Sequence, residues 1–111
     1  PSIPETHHMI CDQTLALMKP GAYLVNTARG PIVDENAAAR ALASGTLAGM
    51  ASDVFESDPV RMDNPLLAQK NFICTPHTAA ESYEVYDKVG FMTAKAVVDI
   101  LNGRTPEHLL V

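Results

Sequence analysis

Three short, unbroken apolar runs most constrain what this chain folds into: "AYLVN" at 22–26, "LAGMASDVF" at 47–55 and "FICT" at 72–75. Each is too short and too continuous for an amphipathic helix, so each reads as a buried strand. Helix signals lie between and around them. Asp12 reads as the cap of a helical stretch in which Leu15 and Met18 share a face, and Pro20-Gly21 stops it. "DENAAARALASG" starts at Asp34 with acids in its first turn, where the helix dipole favours them, and closes on Gly45. A third helix is expected from about Glu81 to Leu101, with Val85, Val89, Met92, Ala96 and Ile100 recurring at helical spacing as a core-facing stripe. Asn102-Gly103 ends it. Strands alternating with helices imply right-handed crossovers and a parallel sheet. Unbroken apolar strands fit a sheet covered on both faces. "SDPVRMDNPLLAQKN" is a loop, and no chemistry is attached to Arg61.

Composition bounds function. The chain has 111 residues, 47% of them hydrophobic, and a net charge of −5. This suits one small domain with a single core. An acidic balance argues against non-specific nucleic-acid binding, which needs a basic face. No apolar run approaches the roughly 20 residues that span a bilayer, and the start "PSIPETHHMI" lacks the pattern of a signal peptide. Cys11 and Cys74 are far apart with apolar neighbours, which predicts reduced, buried thiols and a cytoplasmic protein. His7 and His8 are adjacent and so cannot face one ligand site on a helix; they read as surface residues, as does His108. No metal site is predicted.

In a parallel α/β sheet, ligands bind beyond the carboxyl ends of the strands. Three polar clusters fall there: Asn26, Thr27 and Arg29 after the first strand, Asp53 with Glu56 and Asp58 after the second, and Thr75, Pro76 and His77 after the third. Arg29 stands beside no local acid, and its flat guanidinium fits a carboxylate bidentately. A histidine titrates near neutrality and suits proton transfer. Each residue also has an ordinary reading. Arg29 can be a solvated loop residue, His77 a structural histidine, and Asp53 a cap on the turn after its strand.

"NTARGPIVDE", "AGMASDVFESDP" and "FICTPHTA" resemble, in order and spacing, consecutive motifs of the D-isomer-specific 2-hydroxyacid dehydrogenases, and "PETHHMI" and "LALMKPGAYLVN" fit the helix and strand before them. The resemblance implies the C-terminal half of an NAD-binding domain. The fold expected is a partial Rossmann-like, doubly wound parallel sheet with flanking helices and a long C-terminal helix. Residues 1–101 would form that half-domain, and 102–111 a tail toward a substrate domain. The resemblance also implies roles. Arg29 would bind the substrate carboxylate and polarise its carbonyl. His77 would be the acid/base and border the cofactor. Asp53 would touch the nicotinamide carboxamide, with Thr27, Ala28 and Ala79 lining the same NAD site. Family members commonly place a glutamate five residues after that aspartate, paired with the histidine. Here the position is Asp58, one methylene shorter; Glu56 is the nearest glutamate, but the register of Pro59 favours Asp58 as the equivalent, a catalytic carboxylate expected to meet His77 directly or through water.

The glycine-rich phosphate turn of dinucleotide-binding folds is absent, as is the acid that reads the adenosine ribose. The expectation is therefore a fragment of an NAD-dependent oxidoreductase that interconverts a D-2-hydroxy acid and its 2-oxo acid, inactive alone. With no strand to pair beside "AYLVN", it should dimerise through that edge or associate with the missing part of its parent. Two other readings stay open. One is an NAD-sensing corepressor resembling the C-terminal-binding proteins, and the other is an interaction fragment without a cofactor.

Overall fold

The structure, a computed structural model, describes residues 1–109. The three apolar runs form strands β1 (Ala22–Asn26), β2 (Leu47–Ser52) and β3 (Phe72–Cys74). They make one parallel sheet in the order β1-β2-β3. Tyr23 pairs with Gly49, Val25 with Ala51 and Asn26 with Ser52, while Ala51 pairs onward with Ile73 and Ser52 with Cys74. This register brings all three carboxyl ends to one rim. The partial Rossmann-like parallel sheet expected from the sequence is the one observed.

Helix α1 is a single turn, Asp12–Leu15, and α2 spans Glu35–Ser44. Asp12 does not cap α1, contrary to expectation. It is the first helical residue, and its carboxylate pairs with Arg40 at 2.6 Å. The Cys11 N–H instead donates to the Thr14 hydroxyl at 2.9 Å. Helix α2 follows the sequence reading closely. The Asp34 carboxylate accepts from the Ala37 N–H at 3.0 Å, a cap whose loss costs about 1 kcal/mol. Gly45 closes the helix in the left-handed conformation, at φ 80°. Ala37, Ala38, Ala41 and Leu42 pack with Leu15, Leu47, Met50 and Leu66 into the core. Small alanines let α2 sit close to the sheet, and Leu66 reaches this core from a 3-10 turn at Pro65–Ala68.

Only one sheet face is covered. Leu47 and Met50 are buried beneath α2, but Tyr23, Val25 and Ile73 are 76%, 67% and 72% exposed. The expectation of two covered faces is thus corrected for the described residues. Unbroken apolar strands report what each face is built to meet, not whether this chain supplies it. Cys74 is corrected likewise: it is a free thiol on exposed β3, not a buried one, and Cys11 is half-buried. On β3, Ile73 and Cys74 are exposed while Phe72 packs against the core.

Contacts divide the chain into two compact units, Pro1–Ala79 and a second that begins at Ala80. The second unit is built on α3, Tyr83–Leu101, capped by Ser82, whose hydroxyl accepts from the Val85 N–H at 3.3 Å. The expected start at Glu81 moves two residues because serine caps a helix end better than it continues one. After Asn102 the chain turns back. The Arg104 N–H donates to the Asp99 carbonyl at 2.8 Å, and Asp99 accepts from Lys95 Nζ and Arg104 Nε at 2.8 and 2.9 Å. These bonds pull the Asp99 carboxyl below its usual range, Lys95 foremost. The apolar stripe is not core here. Val89 is 54% and Ile100 60% exposed. No helix among the described residues is long and apolar enough to cross a membrane.

Candidate active site at the strand tips

Beyond β1, a buried asparagine shapes the loop. The Asn26 side chain donates to the Arg29 carbonyl at 3.0 Å and accepts from the Ala28 N–H at 3.1 Å. This Asx-type bracket holds Thr27-Ala28-Arg29 in a tight bend. The Arg29 side chain is exposed, and its only hydrogen bond among the described residues is to the Ala28 carbonyl, at 2.6 Å. It has no carboxylate partner there. Gly30 follows, buried, with its Cα against the backbone of Phe55 and Glu56. The arginine loop is thereby seated on the loop after β2.

Beyond β2, Asp53 is 5% exposed. Its N–H donates to the Asn26 carbonyl at 3.0 Å, tying it to the β1 tip. Its carboxylate reaches across to the β3 tip. It accepts from the Thr75 hydroxyl, from the Thr78 N–H at 2.8 Å and from the Ala79 N–H at 2.9 Å. The Thr75 hydroxyl is the main cause that holds this carboxyl below its usual range, helped by the two amides. The ordinary reading of Asp53 as a cap on the turn after its own strand is corrected: its carboxylate holds the turn after β3 instead.

Beyond β3, His77 sits at φ 59°, a left-handed backbone that non-glycine residues adopt uncommonly. Its Nδ1 lies 3.3 Å from Asp58 Oδ2, and Nε2 has no hydrogen-bond partner among the described residues. The shorter aspartate thus reaches the imidazole directly. Glu56 is not its partner. That carboxylate pairs with His8 Nε2 at 3.0 Å. His8 is accordingly more than a loose surface residue. It is hydrogen-bonded across 48 positions and stacked on His7 with ring centres 4.0 Å apart. The same loop is fastened from below by Glu35, whose carboxylate accepts from the Glu56 N–H at 2.9 Å and from Asn64 Nδ2 at 2.6 Å. Burial pushes the Glu35 carboxyl up.

The loops enclose a cavity of about 270 Å3 lined by Asp53, Phe55, Asp58, Cys74, Thr75 and His77. A smaller groove of about 110 Å3 opens on the bare sheet face, between Val25, Thr27, Ala51, Ile73 and Ala79. Sequence reasoning placed Arg29, Asp53, Asp58 and His77 at one rim. It gave no role to Asn26, although an asparagine two residues before an amide is a recognisable turn signal. It also missed Gly30, Glu35 and His8, whose partners are remote in sequence. Among the described residues no group of three or more His, Cys, Asp or Glu is arranged to hold a metal ion.

The family model for the D-isomer specific 2-hydroxyacid dehydrogenase, NAD binding domain, matches residues 1–79. The chain belongs to this family. The match ends at Ala79, where the first compact unit also ends. A glyoxylate reductase of Thermofilum pendens is 39% identical over 110 residues, 99% of this chain and 32% of the relative. Among solved structures, a D-isomer specific 2-hydroxyacid dehydrogenase from Xanthobacter autotrophicus Py2, in complex with NADPH and MES, matches with a TM-score of 0.87 and 33% identity. It covers all of this chain and 45% of its own. A D-lactate dehydrogenase from Aquifex aeolicus, complexed with NAD and lactic acid, matches with a TM-score of 0.78 and 35% identity, over 93% of this chain and 35% of its own. This member of the dehydrogenase family therefore spans about a third of the length of the curated relative.

The site has room for the nicotinamide end of NAD. A carboxylate offers about four lone-pair sites, and the chain's own donors fill three on Asp53. One remains for a carboxamide N–H. Small residues, Ala51, Thr27 and Ala79, border the groove on the sheet face, where a flat ring needs close approach.

Proposed function

We propose that this chain is the substrate-facing part of an NAD(H)-dependent oxidoreductase that interconverts a D-2-hydroxy acid and its 2-oxo acid. Thr27, Ala28, Asp53, His77 and Ala79 would border the nicotinamide, and bound NADH supplies the hydride. Arg29 anchors the substrate carboxylate and, as a fixed cation, stabilises the negative charge that grows on the carbonyl oxygen. His77 gives that oxygen its proton from Nε2, the nitrogen without an internal partner. Asp58, at Nδ1, orients the ring. The observation that carries the reading is the His77–Asp58 pair at 3.3 Å beyond β3, on the same sheet rim as Arg29 beyond β1, which has no carboxylate partner among the described residues.

Residues 1–101 would be the C-terminal half of the cofactor domain, with 102–111 leading toward a substrate domain. Without a glycine-rich phosphate turn, the 111 residues alone should show no turnover and weak NADH binding. Micromolar affinity by calorimetry would contradict that. Among the described residues one sheet face is bare and the outer edge of β1 has no paired strand, which calls for a partner, either a second copy or the rest of the parent protein. Sedimentation of the chain should show self-association, and a monodisperse monomer with a cooperative melt would count against it.

The deciding assay is NADH oxidation by the full-length protein with glyoxylate, hydroxypyruvate, pyruvate and phosphohydroxypyruvate. Arg29→Ala should lower kcat/KM by roughly 10³-fold, the scale of a lost charge-assisted anchor that also polarises the carbonyl. Arg29→Lys should recover little of this, since an ammonium cannot replace a planar fork. Full-length protein with NADH affinity but no turnover on any of the four acids would favour the corepressor reading.

A further inference from the structure

We propose that Asp53 is a positioning residue whose carboxylate clamps the Thr75–Ala79 turn and so holds His77 in its left-handed backbone conformation. The proposal rests on the reading of His77 as the acid/base. It goes beyond a cofactor contact for Asp53. Three donors converge on this one carboxylate, and they bracket His77 on both sides: Thr75 two residues before it, Thr78 one after, and Ala79 two after. Residue 77 sits inside that loop at φ 59°. A backbone in this region persists only where its surroundings over-determine it. Neighbouring donors fixed to a single acceptor do this directly.

The clamp itself is anchored. Asp53 is buried, its N–H donates to the Asn26 carbonyl at 3.0 Å, and the Thr75 N–H donates to the Ser52 carbonyl at 3.1 Å. Asn26 in turn brackets the Arg29 loop. One aspartate therefore spans from the tip that carries Arg29 to the tip that carries His77, and fixes their relative register. Asp58 cannot serve this purpose. Its one side-chain hydrogen bond among the described residues is to the His77 imidazole, and its own side chain is 73% exposed.

Asp53→Asn tests the clamp in the 111-residue chain. An amide keeps the shape but must turn its NH2 toward either the Thr78 N–H or the Ala79 N–H, so one backbone donor loses its acceptor. Amide hydrogen exchange by NMR should accelerate about tenfold or more at Thr78 or Ala79, whichever loses its acceptor, the scale of one lost hydrogen bond, with Ala38 and Leu42 of α2 within about twofold. Residual dipolar couplings should show that His77 has left the positive-φ region. Unchanged exchange at both amides, or an unchanged His77 backbone, would overturn the proposal. If Asp53→Asn does not fold, Thr75→Val decides, since it keeps the carboxylate and removes one donor. Exchange at Thr78 and Ala79 should then rise at least about threefold, and no change would overturn the clamp. None of these readouts needs NADH or substrate. A failed dehydrogenase assay would leave the clamp standing, and a failed clamp would leave Arg29 and His77 to their own kinetics.

Discussion

Replacing His77 with asparagine in the full-length protein is expected to lower kcat by about 10²–10⁴-fold, the range contributed by a positioned acid/base, with little change in KM. Asparagine is the informative substitution because of the backbone. Residue 77 sits at φ 59°, and asparagine is among the few non-glycine residues that enter this region readily. The turn, its bonds to Asp53 and the cavity should survive, and only the titrating group is lost. The pH dependence of kcat assigned to the imidazole should vanish with it. His77→Val is a useful contrast. A β-branched residue resists the left-handed region, so that variant should also lose stability, which a urea midpoint would register. Retention of turnover within about threefold by His77→Asn would remove the histidine from the chemistry.

Gly30→Ala is expected to be the most damaging single methyl in the chain. A Cβ built on Gly30 falls 1.9 Å from the Phe55 carbonyl carbon and oxygen and 2.4 Å from the Glu56 nitrogen. All three are backbone atoms, so no rotamer change relieves the clash and the two loops must part. Forced overpacking of this kind costs about 1–3 kcal/mol, against a usual total of about 5–15 kcal/mol for a domain. The loss should appear as a lower urea midpoint with an unchanged slope. The kinetic consequence should be larger still. Parting the loops moves Arg29 away from the loop that carries Asp58, and a displacement of about 1 Å at such a site can cost about 10²-fold in rate. Gly90→Ala is the control. It lies in α3, a Cβ there meets nothing within 4 Å, and the change should stabilise the helix by up to about 1 kcal/mol. Equal midpoints for Gly30→Ala and the unaltered chain would show that the two loops are not packed as described.

The legible parts of the fold were those set by local chemistry. The strands at 22–26 and 72–74 needed only short apolar runs bounded by breakers, and α2 needed only Asp34, its alanines and Gly45. Misreadings arose where a residue's fate depends on something distant. Asp12 looks like a cap until Arg40, 28 positions on, takes its carboxylate. The stripe from Val85 to Ile100 looks like core, and its periodicity is real, but a stripe records an intended contact and not the surface that makes it. Cys74 looks buried for the same reason. The site divides along this line too. Arg29, Asp53, Asp58 and His77 stand at strand ends, so topology alone put them on one rim. Asn26, Gly30, Glu35 and His8 act through partners that no spacing announces.

By itself the sequence determined which segments become strands and helices, that the sheet is parallel, and which polar residues reach its carboxyl edge. These follow from side-chain period, capping residues and the handedness of crossovers, all of which are local or nearly so. Only the tertiary structure decided that Asp58 reaches His77 directly and not through water, that Asp53 spends three of its acceptor sites on a neighbouring turn, and that one face of the sheet stands bare among the described residues. Each of those outcomes depends on how closely two remote stretches of backbone approach, a quantity of a few ångströms that residue identity does not encode until the chain is folded.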